Sequence, residues 1–190
     1  INFCLLPFIE AKEDLLIHTQ KVDSLISAYH TKRKVNLNPK VDDSVFIRRI
    51  YLNIVGRIPT AAETTNFINS REEDKKSELI NKLINSEGYV SHQFNWWADI
   101  LRVNTRMQGQ SPTNGGAYSN WIKQSIRENK SYDKFVRDLI TAEGMIDENG
   151  AVGFYLRDRG MELDHLATTA QVFLGTQLVC AQCHDHPFDD

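Results

Sequence analysis

Two cysteines three positions apart, with a histidine directly after the second, constrain this chain more than any other feature. They form the run Cys180-Ala181-Gln182-Cys183-His184. This Cys-x-x-Cys-His spacing is typical of the attachment site of a c-type haem. In such a site the two thiols add to the vinyl groups of the porphyrin, and the imidazole becomes the proximal iron ligand. The pattern therefore predicts one covalent haem c, held by Cys180 and Cys183, with its iron on His184.

Two other chemistries fit part of the same run. A Cys-x-x-Cys pair forms a redox disulfide in thioredoxin-like proteins, but a strand precedes the pair there, and here the preceding segment has helical periodicity. A zinc or iron site would use both cysteines together with His184 and His186. Histidines this close to the second cysteine are crowded compared with the usual zinc-finger spacing. Haem is the leading prediction, and both alternatives stay open.

A wider set of residues around the motif resembles a known family. The matching runs are Phe46–Thr60, Trp96–Arg102, Tyr132–Leu139 and Val172–Asp189. They are similar to the planctomycete- and verrucomicrobia-type domain of unknown function 1549, which occurs in large secreted proteins that often also carry cytochrome c modules. The resemblance covers the chain from Asp42 to Asp189 and implies an exported, haem-associated helical domain rather than a defined reaction. Because members of that family run on well past the motif, we expect the domain to continue beyond Asp190.

The composition argues against two classes of partner. The net charge is −3, and lysines and arginines are scattered among acids, so the chain lacks the basic patch of a nucleic-acid-binding protein. No run of about eighteen apolar residues occurs, so we predict no transmembrane segment in this chain. The expected partners are a redox protein or further domains of a longer chain.

The motif also predicts where the protein works. Covalent haem attachment takes place outside the cytoplasmic membrane, so we expect an exported protein, either periplasmic or extracellular. The apolar stretch Ile1–Ile9 fits the remnant of a trimmed signal peptide. We interpret Cys4 as a buried or signal-derived thiol, because Ile1-Asn2-Phe3 is a poor match to a lipoprotein cleavage site.

Apolar residues recur at helical spacing through most of the chain, and capping residues and glycines separate the segments. We predict an all-α fold, an irregular multi-helix domain of about eight helices with long loops and the haem motif at its C-terminal end. Residues 1–40 are expected to form an N-terminal segment with a signal-peptide remnant, a helix over 12–29 and a linker. Residues 41–190 are expected to form the helical haem-associated domain, truncated at its C-terminus. Within it, 104–116 is predicted to be a long loop and 154–156 a short extended piece.

The last predicted helix, Met161 to Leu174, has two apolar faces. One is a regular core stripe of Leu163, Leu166, Ala167, Ala170, Phe173 and Leu174. The opposite face is less polar than a solvated surface should be, and it consists of Met161, His165, Thr168 and Val172. We therefore predict a helix enclosed between the core and a second body, which is either the haem or chain that follows Asp190.

The second axial position of the iron has several candidate ligands. His186 is a poor one, because axial nitrogens lie about 4 Å apart across the porphyrin plane, and a span of two residues does not easily straddle it. The candidates within the chain, in falling order, are His165, Met161, His92 and Met107. An open position is equally consistent with the sequence.

Three functions follow from these predictions. Electron transfer is favoured over catalysis, because histidine or methionine ligation would close the iron. The alternative is a helical scaffold or interaction module of a larger assembly with a structural haem or metal. A third is a haem-dependent enzyme with an open iron position, for instance one that acts on peroxide. No pair of carboxylates stands out as a hydrolytic site.

Overall fold

Helices make up all the regular structure of the described residues, which confirms the all-α prediction. The structure, a computed structural model, describes residues 6–104, 114–183 and 185, with side chains from residue 17 to 104, from 115 to 183 and of 185. Nine α-helices lie within those ranges. They are α1 (Leu6–Arg33), α2 (Asp43–Val55), α3 (Ala61–Asn69), α4 (Lys75–Ile84), α5 (Glu87–Ile100), α6 (Asn114–Arg127), α7 (Tyr132–Ile140), α8 (Gly153–Leu156) and α9 (Glu162–Leu174).

The chain divides into two compact units, Ile1–Asp42 and Asp43–Asp190. In the first unit, α1 runs four residues further than the predicted end at Tyr29. It ends where Lys34 adopts a left-handed backbone with φ of 54°, and the N–H of Lys34 bonds back to the carbonyl of Thr31. None of the helices in the described part of the chain combines the length and the hydropathy needed to cross a bilayer.

In the second unit, α2, α3 and α4 share a small core. Its buried side chains are Ile47, Tyr51, Phe67 and Leu83. The aromatic rings of Phe46 and Phe67 stack beside it with centroids 5.8 Å apart. Each of these side chains lies on one face of its helix, as the apolar spacing in the sequence predicts.

The start of α3 is held by the carboxylate of Glu63. Thr60 accepts a hydrogen bond from the N–H of Glu63, and Glu63 accepts one from the N–H of Thr60, so the pair forms a capping box. A threonine followed three residues later by a glutamate favours this motif. Arg57 donates two further hydrogen bonds of 2.9 and 2.7 Å to the same carboxylate. The Arg57 guanidinium, with added hydrogen bonds from Thr60, holds the pKa of Glu63 well below its usual range.

Helices α5 to α8 enclose a larger core. Its most deeply buried side chains are Leu101, Tyr118, Ile122, Leu139 and Phe154. The adjacent tryptophans of α5 have different environments, because they point in directions about 100° apart on the helix. Trp97 packs against this core with its ring centroid 4.9 Å from that of Phe135, whereas Trp96 is 57% exposed.

Two local predictions are wrong. Residues 154–156 belong to α8 and are not extended. The helix is possible there because Gly153 lets it approach α6 closely: a Cβ at Gly153 would lie 2.4 Å from the Cβ of Tyr118. In the predicted loop 104–116, the last three residues form the start of α6, and 105–113 lie outside the described residues.

We predict that Gly153→Ala lowers the free energy of unfolding by about 2 kcal/mol, since the added methyl group overlaps the buried side chain of Tyr118. Urea unfolding followed by circular dichroism measures the change. The matched control is Gly116→Ala, because a Cβ at Gly116 in α6 meets no atom within 4 Å. That control should be neutral or stabilising by up to about 1 kcal/mol. Equal effects of the two substitutions would contradict the close approach of α8 to α6.

We predict a pH-dependent effect of Glu63→Gln. The folded-state pKa of Glu63 lies below its unfolded value of about 4.3. The ion pair with Arg57 therefore stabilises the fold fully above about pH 4.3, and this contribution declines as the pH falls from there towards the folded-state pKa. At pH 7 the variant should lose up to about 1 kcal/mol of unfolding free energy, and the difference from the wild type should shrink towards pH 3. Urea titrations across this range provide the measurement. The exposed carboxylate of Glu73 serves as the control through Glu73→Gln.

Candidate functional site

The cysteine pair lies on a segment that folds back along α9. The helix ends at Gly175, whose left-handed backbone, with φ of 69°, reverses the chain. The N–H of Thr176 then bonds to the carbonyl of Ala170 at 3.3 Å. Further on, the side-chain amide of Gln182 reaches Oδ1 of Asp164 at 3.4 Å. Thr176 contacts the C-terminal part of α9, and Gln182 contacts its N-terminal part. The segment therefore runs antiparallel to α9 and brings the cysteines to the first turn of that helix.

A single 3-10 turn presents both thiols. It spans Cys180–Gln182, and the N–H of Cys183 bonds to the carbonyl of Cys180 at 3.2 Å. Residues i and i+3 eclipse each other in a 3-10 helix, so Cys180 and Cys183 lie on the same side of the turn. Both cysteines are exposed and neither forms a disulfide. This arrangement is compatible with two thioether bonds to one porphyrin edge and also with the reduced form of a redox pair, so both remain predictions.

Several predicted residues lie outside the described part of the chain. These are His184, the predicted proximal ligand, and with it Cys4, Met107 and His186. The described residues contain no group of three or more histidine, cysteine, aspartate or glutamate side chains able to hold a metal ion. The zinc alternative, which requires His184 and His186, therefore remains a prediction, as does iron ligation by His184.

The face of α9 that carries His165 is held by a buried carboxylate, that of Asp158. The side chain of Asp158 is 2% exposed, and three cationic or titratable groups surround it. Nη2 of Arg157 lies 3.1 Å from Oδ2, and Nη2 of Arg102 lies 3.5 Å from Oδ1. Nδ1 of His165 lies 3.2 Å from Oδ2. Arg102 also donates a hydrogen bond of 3.0 Å to Oγ1 of Thr168, so this cluster attaches α9 to the end of α5.

Arg157 is the buried cation that compensates Asp158. It donates hydrogen bonds to the carbonyls of Leu101 at 2.6 Å and Phe154 at 3.0 Å, and it lies over the Phe154 ring. Its Nη2 contacts Asp158 as an ion pair without a well-aligned hydrogen bond. Burial lowers the pKa of Arg157, and Asp158 opposes that shift. Nearby, burial raises the pKa of Tyr118, whose hydroxyl has no hydrogen-bond partner in the described part of the chain.

His165, the first candidate for the second axial position, is half-buried, and its neighbours hold its ring in place. Its ring lies 4.8 Å from the rings of both Phe154 and Tyr155, measured between centroids. Burial lowers the pKa of His165 and so favours the neutral imidazole, while the hydrogen bond with Asp158 opposes that shift. The carboxylate accepts from Nδ1–H in that form and leaves the lone pair of Nε2 free. A histidine that ligates a metal is usually held in this way.

The other candidates for that position differ in their surroundings. Met161 is 43% exposed at the residue before α9, one turn ahead of His165. His92 lies on α5 with its ring packed against Gly56, where a Cβ would come within 2.4 Å of Nδ1. No described contact joins His92 to the cysteine turn. Met161 and His165 flank Asp164, which contacts that turn, whereas His92, the other candidate within the described residues, has no such link.

The predicted core stripe of α9 is wrong at its three leucines and correct at Phe173, which packs against the larger core. Ala167 and Ala170 are buried, but Leu163, Leu166 and Leu174 are 59%, 57% and 78% exposed. The opposite face is partly covered instead, because Asp158 and Arg102 draw His165 and Thr168 towards the domain. Sequence reasoning missed this cluster. The run Arg157-Asp158-Arg159 looks like ordinary surface charge, and no spacing rule marks a buried ion pair inside an irregular segment.

We predict that Asp158→Asn lowers the free energy of unfolding by about 3 kcal/mol, because it leaves the buried guanidinium of Arg157 without a counter-charge. Chemical unfolding at pH 7 measures the loss. The matched control is Asp138→Asn, which removes a more exposed pair with Lys130 and should cost no more than about 1 kcal/mol. If the two variants were equally stable, Asp158 would not hold this region together.

The comparisons with known proteins identify the family. The sequence model of PSCyt2, described as a protein of unknown function (DUF1549), matches residues 21–190. No curated protein and no solved structure matches the chain. The match includes all four runs on which the resemblance was based, and it extends further towards the N-terminus than they do. The chain belongs to the PSCyt2 (DUF1549) family.

Proposed function

We propose that this protein is an exported, c-type cytochrome-like domain that binds one haem covalently and serves electron transfer. The observation that carries the proposal is the geometry of the cysteine pair. Cys180 and Cys183 are free, exposed and on one side of a 3-10 turn, directly before the histidine of the motif. A structural thiol pair would be expected inside a core or in a disulfide, and these thiols are in neither.

The chain's own residues have distinct tasks in this proposal. Cys180 and Cys183 would each add across one vinyl group, so that the sulfur bonds to one carbon, the thiol proton goes to the other, and nothing leaves. His184 would supply the proximal nitrogen. The hydrogen bond of 3.4 Å between Gln182 and Asp164 places the turn beside the start of α9. When bound, the haem would supply a one-electron iron couple whose potential depends on its axial ligands and on its burial.

Residues at the start of α9 are proposed to close the second axial position. His165 comes first, because Asp158 holds its tautomer and leaves Nε2 available. Met161 comes second, because it lies one turn earlier and is exposed. A closed position supports electron transfer to a partner protein, whereas an open one would allow small ligands to bind.

Export belongs to the same proposal. Thioether attachment of haem occurs outside the cytoplasmic membrane, where cysteine thiols otherwise tend to oxidise. A periplasmic or extracellular location would place the domain beside its redox partner. The apolar stretch Ile1–Ile9 that motivates the signal-peptide prediction includes residues outside the described part of the chain, and export is inferred from the motif chemistry alone.

We predict that the protein acquires thioether-bound haem when it is exported from a bacterium with cytochrome c maturation. A pyridine haemochrome spectrum reports the number of thioether bonds, because each remaining vinyl group moves the α band to longer wavelength. Cys180→Ala and Cys183→Ala should each move the α band to longer wavelength by the amount that one unreacted vinyl group causes. The double variant should lose covalent haem. Cys4→Ala is the control, since Cys4 lies outside the motif, and it should keep the wild-type spectrum.

Two outcomes would contradict the proposal. One is a wild-type protein without covalent haem that retains one zinc ion per chain. The other is a haem that cannot be reduced without unfolding the protein, which would favour the scaffold function. Redox titration of the loaded protein separates these cases, because electron transfer requires a reversible iron couple. Binding of carbon monoxide or cyanide to the native protein would instead indicate an open iron position.

A further inference from the structure

Two leucines at the start of α9 are unusually exposed. Leu163 is 59% exposed and Leu166 is 57% exposed, although both belong to the apolar stripe of a well-formed helix. They lie three residues apart, so their side chains are neighbours on the helix surface. Exposed leucines are ordinary on a protein surface, and what distinguishes this pair is its position beside the candidate cofactor attachment site.

The fold places this pair next to the cysteine turn. Gln182, which lies between the two cysteines, contacts Asp164 at 3.4 Å, and Asp164 follows Leu163 directly. Leu166 is within the same turn of the helix. Leu174 belongs to the same stripe and is 78% exposed, but it lies ten residues beyond Asp164. At a rise of 1.5 Å per residue, it is about 15 Å further along the helix axis.

We propose that Leu163 and Leu166 form the apolar surface against which the porphyrin attached at Cys180 and Cys183 packs. This inference rests on the proposed covalent attachment and not on ligation of the iron by His165, which lies on the opposite face of α9. The vinyl-bearing edge of the porphyrin is apolar and would be the edge nearest to the turn. The anionic propionates lie on the opposite edge of the ring, away from the acidic side chains of Glu162 and Asp164. The apolar pair and the apolar edge are therefore complementary, and the tether makes their contact intramolecular.

The size of the patch favours this occupant over a second protein. Two leucine side chains are far smaller than the roughly 800 Å² per partner of a typical stable protein interface. A tethered group needs no such area, because the covalent bonds already hold it at a high effective concentration. A second copy of the chain would be expected to cover the whole stripe, including Leu174.

The test uses hydroxyl-radical footprinting of the wild-type, haem-loaded full chain, read by mass spectrometry. Without a covering group the three leucines should oxidise at similar rates, with Leu174 slightly ahead. We expect Leu163 and Leu166 to oxidise several-fold more slowly than Leu174. Equal rates at all three positions, or equal protection of all three, would overturn the inference. A pyridine haemochrome spectrum of the same sample shows separately whether the proposed function holds.

A second measurement compares two variants of the loaded protein. Leu163→Ser combined with Leu166→Ser should keep the wild-type haemochrome spectrum but shift the reduction potential downwards, because greater solvent access stabilises the ferric form. Leu174→Ser is the matched control and should leave the potential unchanged. An unchanged potential in the double variant would contradict the packing contact while leaving haem attachment intact. Absence of covalent haem from the wild type would overturn both proposals.

Discussion

The buried carboxylate of Asp158 is the interaction on which the arrangement of the C-terminal region depends. A charge removed from water must be paired, and the cost of leaving it alone is far larger than the gain from any one surface contact. Arg157 compensates it from the neighbouring position, while Arg102 and His165 approach from the end of α5 and from α9. Asp158, together with the buried Ala167 and Ala170, thereby fixes how α9 sits against the domain.

The orientation of α9 in turn decides what surrounds the cysteine motif. With His165 and Thr168 turned inwards, the leucine ends of the stripe remain in solvent. The reversal at Gly175 then returns the chain along the helix and places the cysteine turn beside Asp164. Two free thiols and an exposed leucine pair therefore lie beside the first turn of α9, with the ordered imidazole of His165 on the other face of that helix. This arrangement supports the proposed attachment of a porphyrin through the two cysteines.

Much of the fold follows from local rules. The capping box of Thr60 and Glu63 and the apolar faces of α2 and α7 depend on residues within one or two turns of each other, so the sequence is enough to predict them. Other predictions failed where distant groups decide the outcome. Residues 154–156 are helical because Gly153 permits contact with Tyr118, more than thirty residues away. The different exposure of Trp96 and Trp97, about which the sequence alone makes no prediction, depends on where Phe135 lies.

Some features of the candidate site likewise follow from local sequence, and others follow from contacts between distant helices. The sequence by itself determined the family, the helical class and the pairing of two thiols on one turn, because a spacing of three residues sets their relative direction through local backbone geometry alone. Only the tertiary structure decided which α9 residues face the domain, that His165 is held by Asp158, and that Leu163 and Leu166 stay exposed. Those features depend on the balance of desolvation and ion pairing among separate helices, and no periodicity along one helix records that balance.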